Sequence, residues 1–171
     1  DKVDDYNVLL KLKKIMGGKK ILLLIPGNTL NTHRKQIDDY ILKKHPIIIS
    51  VNFVAEHSLA WAFFGNPKRY ARLKNKRNAR KVIISSNIIS DTEDDIIVNY
   101  HSIINRGYRY FENSTIMLLN LLKRIQPLQI SIAGFDGFSE SINENYADET
   151  YQNQRHAHEF AELNKEIAIM F

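Results

Sequence analysis

The sequence contains no cysteine. That excludes a disulfide scaffold, a thiolate-ligated zinc or iron–sulfur centre, and a thiol nucleophile. No apolar run approaches the ~18 residues of a membrane span, so no membrane partner is expected. There is no initiating methionine and no signal-peptide pattern, which reads as a cytoplasmic piece of a longer protein. Glycine and proline are sparse, at 7 and 4 of 171 residues, too few for a low-complexity linker. With 44% hydrophobic and 25% charged residues, the composition is that of a folded domain rather than a disordered chain. The length suits one domain of ~100–200 residues.

The net charge is +5. The basic residues gather at Lys68, Arg69, Arg72, Lys74, Lys76, Arg77, Arg80 and Lys81, with Tyr70 among them. Such a run can contact a phosphate polymer. No helix-turn-helix, RNA-recognition or zinc-finger signature accompanies it, so a solvated surface is the plainer reading and nucleic acid an unlikely partner. A rim that attracts one anionic small molecule is the third.

Hydrophobic periodicity predicts strands alternating with helices. Val8, Leu9, Leu12 and Ile15 or Met16 recur at helical spacing until Gly17-Gly18. Ile21–Ile25 is a continuous apolar run, as in a strand buried on both faces. A helix over about Thr32–Lys44 and a second strand at Ile47–Val51 complete a unit of roughly 30 residues, the size of βαβ. Further strands are expected at Leu59–Phe64, Lys81–Ser85, Asp94–Tyr100 and Leu128–Ala133. Further helices are expected at Pro67–Leu73, from Asn113 or Ser114 to Ile125, and over Thr150–Phe171. This predicts an α/β, doubly wound, mostly parallel, Rossmann-like sheet with a long C-terminal helix. One domain fills residues 1–171: an N-terminal helix or linker to residue 18, a core from 19 to 146, and the final helix.

Ligands in such sheets bind beyond the carboxyl ends of the strands. Those ends carry Gly27-Asn28-Thr29, Asn52, Gly65-Asn66, Ser85-Ser86-Asn87 and Gly134-Phe135-Asp136-Gly137, and Asn113-Ser114 opens a helix among them. Glycine admits close backbone approach, amides offer donors and acceptors, and a helix start favours phosphate. Each residue alone is equally a turn or cap residue; together they suggest a shared polar pocket. The first loop lacks both the three-glycine dinucleotide fingerprint and the Gly-Lys-Ser/Thr of a P-loop.

Asp136 can accept from a ribose hydroxyl, hold a metal, act as a base, or simply form an Asp-Gly turn. Asp91, Glu93, Asp94 and Asp95 read as solvated surface. No histidine pair has metal-ligand spacing, and no metal is expected. His57, beside Glu56 near a strand end, is the best histidine for general acid–base work. Ser85-Ser86 lacks the Gly-x-Ser-x-Gly elbow. The stripe Phe160, Leu163, Ile167 and Met170 packs on its own domain, while the apolar end Ile167–Phe171 can reach a second chain.

The order ILLLIPGNTL, IIISVNF, WAFFGNPKRY, KVIISSNI, ENSTIMLLNLL and ISIAGFDGFS resembles the C-terminal Rossmann-like domain attached to aldolase-like proteins of the HMG-CoA lyase type in bacterial surface-polysaccharide clusters. The likeness runs from about Lys19 to Tyr146 and extends loosely to bacterial sialyltransferases and pterin-pyrophosphokinase-like proteins. It implies nucleotide contacts for Gly27, Asn28, Asn52, Asn113 and Ser114, beside which Thr29 of the first strand end is a further nucleotide-binding candidate, and matches Asp136 to a Gly-x-Asp-Gly strand end. It also implies an upstream aldolase-like domain holding the lyase metal site, since 171 residues leave no room for that barrel. The expectation is a nucleotide- or nucleotide-sugar-binding domain with no lyase activity of its own and no further cofactor. The alternatives are a glycosyl- or phosphoryl-transferase using Asp136 or His57, and a non-catalytic assembly module or homo-oligomer docking through the last helix.

Overall fold

A computed structural model describes residues 3–57, 59–72, 79, 81–139, 145–148 and 157–171. The elements are α1 (Tyr6–Met16), β1 (Lys20–Leu24), α2 (Thr29–Thr32), α3 (Arg34–Lys44), β2 (Ile47–Val51), β3 (Trp61–Phe64), α4 (Pro67–Ala71), β4 (Lys81–Ser85), β5 (Ile96–Val98), α5 (Ser114–Ile125), β6 (Gln129–Ala133) and α6 (Ala157–Met170). The six strands form one sheet in the order β5-β4-β3-β2-β1-β6. Every pairing is parallel. The expected Rossmann-like class holds, and the sheet is wholly rather than mostly parallel.

Alternation within the apolar runs divides the core between two faces. Ile21, Leu23, Ile49, Val51, Trp61, Phe63 and Ile83 face α1 and α5, joined by Leu12, Met16, Met117, Leu118, Leu121 and Ile125. Leu22, Leu24, Ile48 and Ala60 meet Ile37, Tyr40 and Ile41 of α3. Ala62, Phe64, Val82 and Ile84 meet Tyr70 of α4. The stripe of α6 packs Phe160, Leu163 and Ile167 on Ile116, Phe135 and Phe138.

Several boundaries differ from the sequence reading. The helix expected from Thr32 begins earlier and is broken at His33 (φ −112°), giving α2 and α3. Leu59 and Leu128 lie outside their strands and are 69% exposed each. The strand expected over Asp94–Tyr100 shortens to β5, because Tyr100–Ser102 winds into a 3₁₀ turn capped by the Asn99 side chain. β6 is an edge strand, half-buried rather than a central core strand. Tyr70 is buried, edge-on to Phe64, and its hydroxyl donates to Asp95. It is therefore no stacking aromatic for nucleic acid, and Asp95 is a structural acceptor rather than solvated surface. Lys74, Lys76, Arg77 and Arg80 of the basic run, and the expected helical turns over 150–156, lie outside the described residues.

Among the described residues no helix is long and apolar enough to cross a membrane.

Candidate functional site

After β1 the chain steps one way through β2, β3, β4 and β5, then returns to place β6 on the other side of β1. That reversal opens a crevice at the carboxyl ends of β1 and β6, the usual ligand position in an open α/β sheet. α5 leads into β6 and packs on the same sheet, so it runs against the strands. Its amino end, with its partial positive charge, therefore arrives where the strands end.

Small residues let these segments close on one another. A Cβ on Gly65, just past β3, would lie 2.7 Å from the Ser114 hydroxyl and 3.0 Å from Met117 Sδ. A Cβ on Gly27 would lie 2.7 Å from Asp136 Oδ2 and would also overlap the Gly134 carbonyl oxygen. The Gly27 N–H donates to that carbonyl at 3.1 Å. Past it, Asp136 clasps the start of α2: its Oδ2 accepts from Thr29 N at 2.7 Å and its Oδ1 from the Thr29 hydroxyl.

The asparagines at strand and helix ends have specific backbone partners. Asn52 adopts a left-handed conformation (φ 62°), and its Oδ1 accepts from Gly65 N at 3.3 Å. Asn66 caps α4, accepting from Lys68 N and Arg69 N at 2.9 and 3.3 Å. Asn113 caps α5, accepting from Thr115 N and Ile116 N at 3.0 and 3.2 Å. The cap engages two of the four N–H groups that a helix start leaves over. Ser114 and Thr115, the first residues of α5, line the crevice, and both are more than nine-tenths buried.

The resulting cavity encloses about 250 Å³. Gly27, Asn52, Asn113, Ser114 and Asp136, all singled out from the sequence, line it together. Asn28 and Thr29 do not. Asn28 starts α2 without a side-chain cap, and Thr29 borders a neighbouring cleft with His33, Tyr40 and Ser131. His57 lines a different cavity, between α3 and the loop after β2, where its Nε2 is 3.9 Å from Asp38 Oδ1 and Arg34 pairs with Glu56 at 2.6 Å. The two candidate catalytic residues, Asp136 and His57, therefore belong to separate cavities. Among the described residues no three His, Asp or Glu side chains gather into a metal-binding group.

Compared with family models, curated proteins and solved structures, the chain finds no match.

Further residues complete the wall, Arg69 among them from the basic run, one reading of which is a rim for an anion. Arg69, Arg109, Glu112 and Tyr146 all line the cavity. The Arg69 guanidinium lies over the Tyr146 ring, 5.6 Å from its centroid. Arg109 pairs with Glu162 of α6 at 2.6 Å, and the 109–110 backbone donates to the Glu166 carboxylate. Arg69 stands in the basic run, whereas Arg109 and Tyr146 carry no local signal, because their positions depend on α6 and on the segment 145–148.

The Tyr100 hydroxyl donates to Glu112 Oε1. Burial lifts the phenol pKa above its usual value of 10.0, and the hydrogen bond and charge of Glu112 lift it further. A pKa raised on folding stabilises the fold below the unfolded value, and that contribution is lost as pH climbs toward the raised folded value. The urea midpoint of the wild type is expected to fall above about pH 10 more steeply than that of Tyr100→Phe. Parallel slopes for the two proteins would show that Tyr100 is not so held.

Proposed function

We propose that the chain is a nucleotide- or nucleotide-sugar-binding domain, accessory to an aldolase-like enzyme of surface-polysaccharide synthesis. The observation that carries the binding is the convergence, at one crevice, of the α5 start with the ends of β1, β2, β3 and β6. Ser114 and Thr115 offer hydroxyls to an anion, Asn52 offers an amide, and Gly27 and Gly134 let the β1 and β6 ends close into one wall. The charged lining includes Arg69 and Arg109 as well as Glu112 and Asp136, so the wall is mixed rather than simply basic. It suits a ligand that is anionic at one end and rich in hydroxyls at the other. The cavity lies just below the roughly 300–1,000 Å³ of small-molecule pockets, so part of a nucleotide sugar would project from the mouth. The aldolase context rests on the resemblance of the strand-end motifs alone.

Binding rather than turnover is the activity expected of the chain by itself. Both oxygens of Asp136 accept from Thr29, and His57 lines another cavity. Calorimetry of the full chain with CMP, UDP, GDP and their sugar-linked forms is expected to find at least one that binds. Ser114→Ala is expected to weaken it about tenfold, as for one hydrogen bond to a charged group. A folded protein that binds none of them contradicts the reading.

A further inference from the structure

Two carboxylates line the cavity, and they are differently occupied. Asp136 accepts from Thr29 through both oxygens, so its role is to clasp two loops. Glu112 accepts from the Tyr100 hydroxyl through Oε1. Among the described residues it forms no ion pair, although Arg69 and Arg109 line the same cavity.

Tyr100 is itself fixed. Its N–H donates to the Ser86 hydroxyl at 2.9 Å, and it opens the turn capped by Asn99. As a phenol it is a neutral donor at physiological pH. The result is a carboxylate aimed by a hydroxyl donor at Oε1 and left with acceptor capacity at Oε2. Such a group repels phosphate and attracts hydroxyls. Glu112 directly precedes the α5 cap, two residues from Ser114. A phosphate held near Ser114 would bring the hydroxyls of an adjoining ring to Glu112.

We propose that Glu112, oriented by Tyr100, is the acceptor for a vicinal diol on a phosphate-bearing ring. The inference rests on the nucleotide reading above and names the chemistry that its site selects. The diol can be that of the ribose or of an attached hexose, since both adjoin phosphate and present paired hydroxyls. Glu112 acts here as a binding group and Tyr100 as a positioning residue.

The test is calorimetry on the full chain as wild type, Glu112→Gln and Tyr100→Phe. The probes are CMP, UDP and GDP, their 2′,3′-dideoxyribo counterparts, and a UDP-hexose. A ribose diol predicts that the wild type prefers ribo over dideoxyribo forms by roughly tenfold to a hundredfold. Glu112→Gln should then erase most of that preference, and Tyr100→Phe part of it. A hexose diol predicts equal binding of ribo and dideoxyribo forms, with the Glu112→Gln loss confined to the UDP-hexose. Equal binding of every probe by wild type and Glu112→Gln overturns the inference and leaves the nucleotide reading standing. A uniform loss across all probes also overturns it, because only a structural role acts without regard to hydroxyls. A wild type that binds no probe overturns both.

Discussion

Gly134→Ala is expected to destabilise the protein by about 2–6 kcal/mol and to abolish ligand binding. Gly134 follows β6 with φ 77°, in the left-handed region that L side chains seldom adopt. Holding alanine there costs roughly 1–3 kcal/mol. A Cβ would also lie 2.7 Å from Leu30 Cγ and overlap the Ile25 carbonyl oxygen. Overpacking of that kind adds roughly 1–3 kcal/mol. Relief requires the ends of β1 and β6 to part, which breaks the Gly27–Gly134 hydrogen bond and the Thr29–Asp136 clasp on which the cavity wall depends. Gly18→Ala is the control. Gly18 has φ 64°, but nothing lies within 4 Å of its Cβ position. It should therefore cost only the conformational term, ~1–2 kcal/mol, and leave binding intact. Equal urea midpoints for the two variants would refute the packing account of the β1–β6 junction.

Asp5→Ala is expected to cost about 2–4 kcal/mol. Asp5 stands before α1, where an N-cap would stand, but its carboxylate makes no cap bond. It accepts instead from Asn99 N at 2.6 Å, the Ser102 hydroxyl at 2.5 Å and Arg124 Nη1 at 2.9 Å. These contacts tie the first helix to the turn after β5 and to the last turn of α5. Removing one partner of a fully buried pair costs about 3–5 kcal/mol. The Asp5 side chain is 8% exposed but that of Arg124 is 39% exposed, so solvent reclaims part of the loss. Asp5→Asn keeps an acceptor and should lose about half as much. Denaturant melts of the two variants check the order, and a wild-type midpoint for Asp5→Ala would contradict it.

The layers of the fold are legible in the sequence where chemistry is local. Ile21–Ile25 is apolar without alternation, and Ile47–Val51 is so but for the buried Ser50, because parallel strands are covered on both faces. β5 and β6, at the sheet edges, are less uniformly buried, and limits shift there and at the amino end of the central β3, where Leu59 is exposed. The break at His33 was not legible, because Asp136 draws the Thr29 N–H and hydroxyl from 107 residues away.

The candidate site divides the same way. Gly27, Asn52, Asn113 and Ser114 fall at the cavity because the carboxyl ends of parallel strands converge. That Asn113 directs its oxygen into its own helix is the local cap its sequence position allows, whereas that Asp136 serves Thr29 follows from tertiary placement. Arg109 and Tyr146 reach the wall through α6 and residues 145–148, contacts that no local pattern encodes.

The central claim is that the crevice at the ends of β1, β2, β3 and β6 is where a nucleotide binds. Amide chemical-shift mapping of the full chain, titrated with UDP and a UDP-hexose, tests it most directly. Binding is expected to shift Gly27, Asn52, Gly65, Ser114 and Gly134 together and to leave Arg34, Glu56 and His57 unmoved. Shifts centred on Arg34, Glu56 and His57, or none at saturating nucleotide, would contradict it.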